Sequence, residues 1–224
     1  LLLVIFLMQG FAASSQCTTV VFRPGPADGI HAHLTSNHPT QNQGHTPEFM
    51  SYGWTILSVP FEARGLMKFD LSALPVGATI TSAKLNLYAD SASQIIAGGS
   101  QPGRPTYGTN NASNLLLVTA PWDRNTVTWN SQPATTTSNE VALVQSVNYN
   151  ESYLNLDITN FVQGWVNDPN TNYGMMLQLV NPAPYNAMVF ASSDIADTTL
   201  RPSLEICYIP RASCNTGAHF NCTH

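Results

Sequence analysis

The stretch Glu62 to Asp90, EARGLMKFDLSALPVGATITSAKLNLYAD, limits the chain more than any other. It holds two strand patterns joined by a short connector. In the first, Arg64, Lys68 and Asp70 share one parity, and Met67 and Phe69 share the other. In the second, Ala83, Leu85, Leu87 and Ala89 alternate with Lys84, Asn86, Tyr88 and Asp90, the period of two of a half-buried strand. Leu71, Leu74 and Ile80 can tuck under the connector, and Pro75-Val76-Gly77 suits a type I turn. A chain built around such a pair must find a second layer for its apolar face.

The remaining residues supply that layer as short strands between turn signals. Strand patterns are expected at Thr18–Arg23, Ala32–Thr35, Leu115–Val118, Val141–Val144, Tyr153–Leu156, Met175–Val180, Ala187–Ala191 and Ser203–Ile209. Phe49–Leu57 reads as a strand broken at Gly53, and Thr135–Ser138 as a Thr-rich loop. Residues 91–113 read as a long loop. One helix is expected from Asp157, where Ile158, Phe161, Val162 and Trp165 fall at helical spacing and Asp157 or Thr159 can cap the start. Fifteen Pro and 14 Gly fit the many turns. The pattern predicts an all-β protein, an antiparallel β-sandwich of jelly-roll type with one short helix.

Three segments are expected: a signal peptide over 1–16, the sandwich over 17–210 and a Cys-containing tail over 211–224. Leu1–Met8 is apolar and followed by small residues to Ser15, a leader without its basic start. Export to the cell surface or medium follows, and disulfides are expected among Cys17, Cys207, Cys214 and Cys222. A 17–207 bridge with 214–222 would staple the chain ends. Lipid on Cys17 is the competing use of that thiol and the sole expected tie to a membrane, although Ser14-Ser15-Gln16 fits a lipobox poorly. Asn111, Asn150 and Asn221 each open a glycosylation sequon.

Charged residues are only 9% of the chain, and the net charge is −5. Nucleic acid is therefore excluded as the expected partner, since binding it needs a basic footprint. No H-E-x-x-H, G-x-S-x-G or phosphate-binding Gly-rich loop occurs, so no enzyme activity is expected. Tyr52, Trp54, Tyr107 and Tyr185 lie in or beside polar or Pro/Gly-rich stretches and are the candidate sugar-stacking rings. Arg64 and Lys68 are candidate contacts for an acidic sugar, with Arg64 read first as the structural partner of a carboxylate. Trp122, Trp129 and Trp165 are assigned to the core. His31 and His33 would share a strand face, where they could ligate a divalent cation; calcium on loop oxygens is the other metal expectation.

Taken in order, a set of landmarks resembles the DNRLRE-domain family of extracellular bacterial proteins. They are Arg23-Pro24-Gly25-Pro26 with Asp28-Gly29; Asn42-Gln43-Gly44; Arg64 to Leu71; Pro75 to Ile80; and Ala83 to Tyr88. Trp122-Asp123, Thr126 to Asn130, Asp157 to Thr159, Asn172 to Gly174, Phe190 to Ser193 and Arg201 to Ile206 continue the series. The sequence departs at His31, where relatives often carry Asp. The resemblance implies a jelly-roll sandwich in a non-catalytic accessory role, some relatives binding polysaccharide, including acidic ones such as alginate. Polysaccharide is thus the expected partner. The competing reading is a structural or adhesive surface protein that assembles with copies of itself into a polymer or filament.

Overall fold

The structure, a computed structural model, describes residues 16–91, 93 and 110–211. Its strands are β1 (Thr18–Phe22), β2 (Ile30–Thr35), β3 (Glu48–Ile56), β4 (Val59–Lys68), β5 (Thr79–Leu87) and β6 (Ser113–Val118). They continue as β7 (Thr135–Leu143), β8 (Tyr153–Asp157), β9 (Met175–Leu179), β10 (Asn186–Ala191) and β11 (Ser203–Ile209), with one α-helix, α1 (Thr159–Asn167), after β8. Two antiparallel sheets form. The smaller has the order β1-β11-β5-β8, and the larger runs β10-β3-β4-β9-β6-β7 with β2 added on β4. The all-β sandwich with a short helix is what the alternation of the central stretch requires.

Phe49, Met67, Phe69, Leu85, Leu87, Leu115, Met188, Phe190 and Leu204 meet between the sheets. The alternation of 83–89 holds residue for residue, with Ala83, Leu85 and Leu87 fully buried. Helix α1 adds Phe161, Val162, Trp165 and Val166 to this core. The N-cap is Ile158, which makes no side-chain cap bond, so neither expected residue holds that position; Asp157, one residue earlier, accepts from the Thr159 N–H at 3.1 Å. The Thr159 hydroxyl in turn accepts from the Ala83 N–H of β5.

Two further expectations need correction, and two readings gain detail. Strand β3 runs through Gly53 without a break. A Cβ there would lie 2.3 Å from the Pro182 carbonyl oxygen, so the glycine admits a crossing loop rather than ending the strand. Thr135–Ser138 is the first half of β7 rather than a loop, paired with β6 through Thr135↔Val118 and Thr136↔Leu117. Arg64, Lys68 and Asp70 share their parity with a buried apolar residue, Leu66. It is fully buried with Ala32, Leu34, Val118, Val127 and Met176, roofed by Trp122, Trp129 and Tyr173. Asn111 is fully buried, its amide nitrogen donating to Ser146 Oγ and the Ala187 carbonyl, which closes that sequon to a glycan.

Cys17 is bonded to Cys207, so its sulfur is not free to carry lipid. Cys214, Cys222, Tyr107, the expected leader up to Ser15 and most of the expected 91–113 loop lie outside the described residues. The bond spans 190 residues of sequence and ties the start of the chain to the last strand of the small sheet. Replacing both Cys17 and Cys207 by Ser is expected to cost about 3 to 5 kcal/mol, because the unfolded chain regains the entropy of a long open loop. A urea unfolding midpoint unchanged by the double replacement would refute this.

Strands β3 and β4 join at Ile56↔Val59, leaving Leu57 and Ser58 as a two-residue turn. Both have positive φ, 49° and 66°, the geometry that Asn-Gly adopts with least strain. Leu57→Asn with Ser58→Gly is therefore expected to stabilise the protein by about 1 kcal/mol. The check is a higher urea midpoint at unchanged slope.

Candidate functional site

Side chains alternate across β2, β4 and β3, and the register sets one outward face. His33 and Thr35 of β2 share it with Phe61 and Ala63 of β4 and with Tyr52, Trp54 and Ile56 of β3, since Thr35↔Ala63, Tyr52↔Ala63 and Trp54↔Phe61 are paired. A groove of about 610 Å³ opens over this face. Tyr52, Trp54 and Phe61 give it aromatic walls; Thr35, Asn37, His38, Gln43, Thr46 and Thr55 give it polar edges. The rings brace one another edge to face. Tyr52 and Phe61 have centroids 5.7 Å apart at 85°, and Trp54 and Tyr185 are 5.1 Å apart at 82°.

Two backbone features hold these rings. The Tyr185 N–H donates to the Gly53 carbonyl at 2.8 Å, so the 182–185 loop rests on bare backbone where β3 has no side chain. Tyr185 itself has φ of 71°, a conformation an aromatic residue rarely takes, and its ring lies against Trp54. Its hydroxyl also meets Thr55 Oγ1 at 3.2 Å. On the opposite border, the Gln43 carbonyl accepts from the His33 N–H at 3.0 Å, which fixes the 41–46 loop as the other rim.

His33 forms part of the floor. It is 4% exposed, its ring is 5.7 Å from that of Tyr52, and its Nε2 has no hydrogen-bond partner among the described residues. Burial holds its pKa down at about 4, against an ordinary 6.5.

The sequence candidates separate. Trp54 lines the groove, and Tyr185, 52% exposed, packs against Trp54 without lining it. Tyr52, expected to be exposed, is 8% exposed because Ala63, Phe61 and His33 pack around it. Arg64 is engaged elsewhere: it pairs with Glu62, donates to Gln132 at 2.8 Å and lies 4.7 Å from the Trp129 ring centre. Its first reading, a structural partner of a carboxylate, describes that arrangement. Lys68 lines a different and larger cavity of about 730 Å³ at the end of the sandwich, with Asp28, Asp70, Leu71, Arg124 and Trp165. Trp165 is 3% exposed, so that cavity offers no open indole face for stacking. Phe61, Thr35 and Gln43 were not picked out in the sequence. Phe61 was detectable only through a hairpin whose turn, Leu57-Ser58, carries no Gly, Asn or Asp.

His31 and His33 do not act as a pair. Both nitrogens of His31 are used: Nε2 lies 2.8 Å from the Thr46 carbonyl, and Nδ1 lies 2.9 Å from Ser193 Oγ. The carbonyl must accept from Nε2–H, which leaves Nδ1 to accept from the serine hydroxyl. Among the described residues, no group of three or more His, Cys, Asp or Glu side chains is placed to hold a metal ion. Ser193, His31 and Asp194 resemble a nucleophilic triad in composition only. Ser193 is 4% exposed, and a Cβ on Gly29 would fall 1.9 Å from its Oγ, so no carbonyl carbon could approach it.

The depressed His33 pKa links stability to pH. Between about 6.5 and 4 the unfolded chain binds a proton that the folded imidazole refuses. Stability is therefore complete above pH 6.5 and falls as pH drops toward 4, by on the order of 3 kcal/mol for this residue. Buried His31, also lowered by desolvation, acts in the same direction. His33→Phe is expected to flatten part of the dependence; parallel unfolding midpoints for both proteins from pH 7 to 4 would refute the assignment.

A search of curated proteins finds no match to the chain. The match found is to a family model, that of carbohydrate-binding module family 96, over residues 32–208. That span runs from β2 into β11 and takes in every element that builds the groove. The chain belongs to carbohydrate-binding module family 96.

Proposed function

We infer that the protein is a non-catalytic extracellular module that binds polysaccharide in the groove over β2, β4 and β3. One observation carries the reading: Trp54 and Phe61 are half-buried rings on a concave face edged by side-chain amides and hydroxyls. A sugar ring has an apolar C–H face and a rim of hydroxyls. An indole or phenyl face covers the first while Asn, Gln and Thr groups bond the second. Membership of a carbohydrate-binding family supports the ligand class. The Cys17–Cys207 bond supports an oxidising, extracellular setting.

The role needs no bond-breaking machinery. A groove fixed by paired strands is ready before the ligand arrives, and little ordering entropy is lost on binding. Retention of a polymer follows from stacking plus a few hydrogen bonds along its length.

The test is calorimetric titration of the intact chain with soluble polysaccharides, repeated for Trp54→Ala, Phe61→Ala and Lys68→Ala. Trp54→Ala is expected to weaken binding at least about tenfold, the loss typical of a central aromatic anchor. Loss through Lys68→Ala with Trp54→Ala unchanged would move the site to the end cavity. A folded, monodisperse sample that binds no glycan would overturn the reading.

A further inference from the structure

Taking the groove as the ligand site, we propose that a single glycan chain crosses the strands there and that Tyr185 is an outer stacking subsite, engaged only by chains long enough to span it. The inference rests on that reading of the groove and adds the course of the chain, its dependence on length and a further contact residue.

The first observation is a row of rings. Trp54 of β3 pairs with Phe61 of β4. On the other side of β3, Asn186 pairs with Gly53, and the next step of that antiparallel register sets Tyr185 opposite Trp54. The ring centres of Tyr185 and Trp54 are accordingly 5.1 Å apart. Phe61, Trp54 and Tyr185 thus follow one another across the sheet in strand-to-strand steps of about 4.8 Å. A sugar ring is of similar width to an aromatic ring, so such a row offers successive faces to successive sugars.

The second observation is how Tyr185 is held. It is 52% exposed, yet its backbone is fixed at φ 71°. Its N–H donates to the Gly53 carbonyl at 2.8 Å, and its hydroxyl lies 3.2 Å from Thr55 Oγ1. The loop behind it is tied down as well. The Ala183 N–H donates to Asn181 Oδ1, and the Ala183 carbonyl accepts from Asn186 Nδ2, both at 3.2 Å. Positive φ is costly for an aromatic residue, and strain of this kind gathers at ligand clamps, where the surroundings impose it. Here it displays a half-exposed ring beside the groove, fixed before a chain arrives.

The third observation separates two courses. A chain lying along β3 would leave the groove past Ile56 and meet the hairpin tip, where Leu57 is 94% exposed. That tip is aliphatic and has no flat face on which a sugar could stack, whereas across the strands ring follows ring. Tyr185 also stands at 82° to Trp54, so the two do not form one plane. A single chain whose sugars turn about their linkages can meet both faces; a flat surface of packed chains cannot.

The experiment titrates the disulfide-bonded chain with xylo-, manno- and cello-oligosaccharides and with oligomers of alginate, each from dimer to hexamer. In a series that binds, affinity is expected to rise with length. Tyr185→Gly removes the ring and suits the backbone at φ 71°. It is expected to weaken the hexamer by roughly three- to tenfold and the dimer by clearly less. Tyr185→Phe should bind as the unaltered chain does, because stacking uses the ring and not the hydroxyl. Leu57→Ser should leave every length unaffected. If Tyr185→Gly fails to fold, the Tyr185 ring protons of the unaltered protein decide, since they should shift with the hexamer and stay still with the dimer. Equal loss at every length would overturn the outer subsite. A hexamer weakened by Leu57→Ser and not by Tyr185→Gly would overturn the crosswise course, with the groove still standing on Trp54→Ala. Binding indifferent to Trp54→Ala, or no binding of any oligomer, would overturn the groove itself and this inference with it.

Discussion

Arg124 ties together the loops from which the groove is hung. Its guanidinium donates to the Gly29 carbonyl, to the Gly44 carbonyl through Nε and Nη2 at 3.1 and 2.8 Å, and to Asp194 at 3.0 Å. Nη2 also reaches His45 Nδ1 at 2.9 Å. A planar cation with several donors can hold three chain segments at once, which an ammonium on a flexible stem could not do as rigidly. The return contact comes from Asn42, whose amide nitrogen donates to the Arg124 and Val127 carbonyls, both at 2.8 Å. Close approach is needed on both sides of this knot. A Cβ on Gly44 would lie 1.8 Å from the Arg124 carbonyl oxygen, and one on Gly29 would strike Ser193. These glycines serve proximity, and neither has a positive φ.

Two consequences spread from the knot across the large sheet. The 119–134 connection is pinned so that Trp122 and Trp129 roof the apolar cluster around Leu34 and Leu66. The 41–46 loop is pinned so that Gln43 bonds the backbone of His33 and Thr46 accepts from His31. The two faces of β2 and β4 thus differ: Leu34 and Leu66 are covered by the tryptophans, while Thr35 and Phe61, on the other parity, line the groove with Tyr52 and Trp54. Unusual backbone lies beside the groove, at Tyr185 against Trp54 and in the Leu57-Ser58 turn that joins β3 to β4. Strained residues persist where the surrounding structure over-determines them, and here they keep rings and an apolar turn beside the opening.

The fold was legible because its determinants are local and periodic. The alternation of 83–89 and the helical spacing from Ile158 each report a burial pattern through one element. The site was less legible, because it is made by pairing between strands. Tyr52 and Trp54 stood out as aromatics near polar residues, but nothing local distinguishes the 8% exposure of Tyr52 from that of an open ring. Gly53 read as a break because the Pro182 and Ala183 carbonyls that require it lie far along the chain. Phe61 was hidden by a turn with no Gly, Asn or Asp. Arg64 and Lys68 share a strand parity, yet one stacks on Trp129 and the other opens into the end cavity.

The landmarks that suggest a family turn out to have structural tasks. Asp28-Gly29, Asn42 to Gly44 and Ser192-Ser193 converge on the Arg124 knot, and Trp129 packs against Arg64. Asn172 donates to the Phe69 carbonyl, joining two further landmarks. His33, Tyr52, Trp54, Phe61 and Tyr185 all lie outside those landmarks. The resemblance therefore reports the scaffold more than the rings of the groove. In this chain the described lining is aromatic, amide, hydroxyl and imidazole.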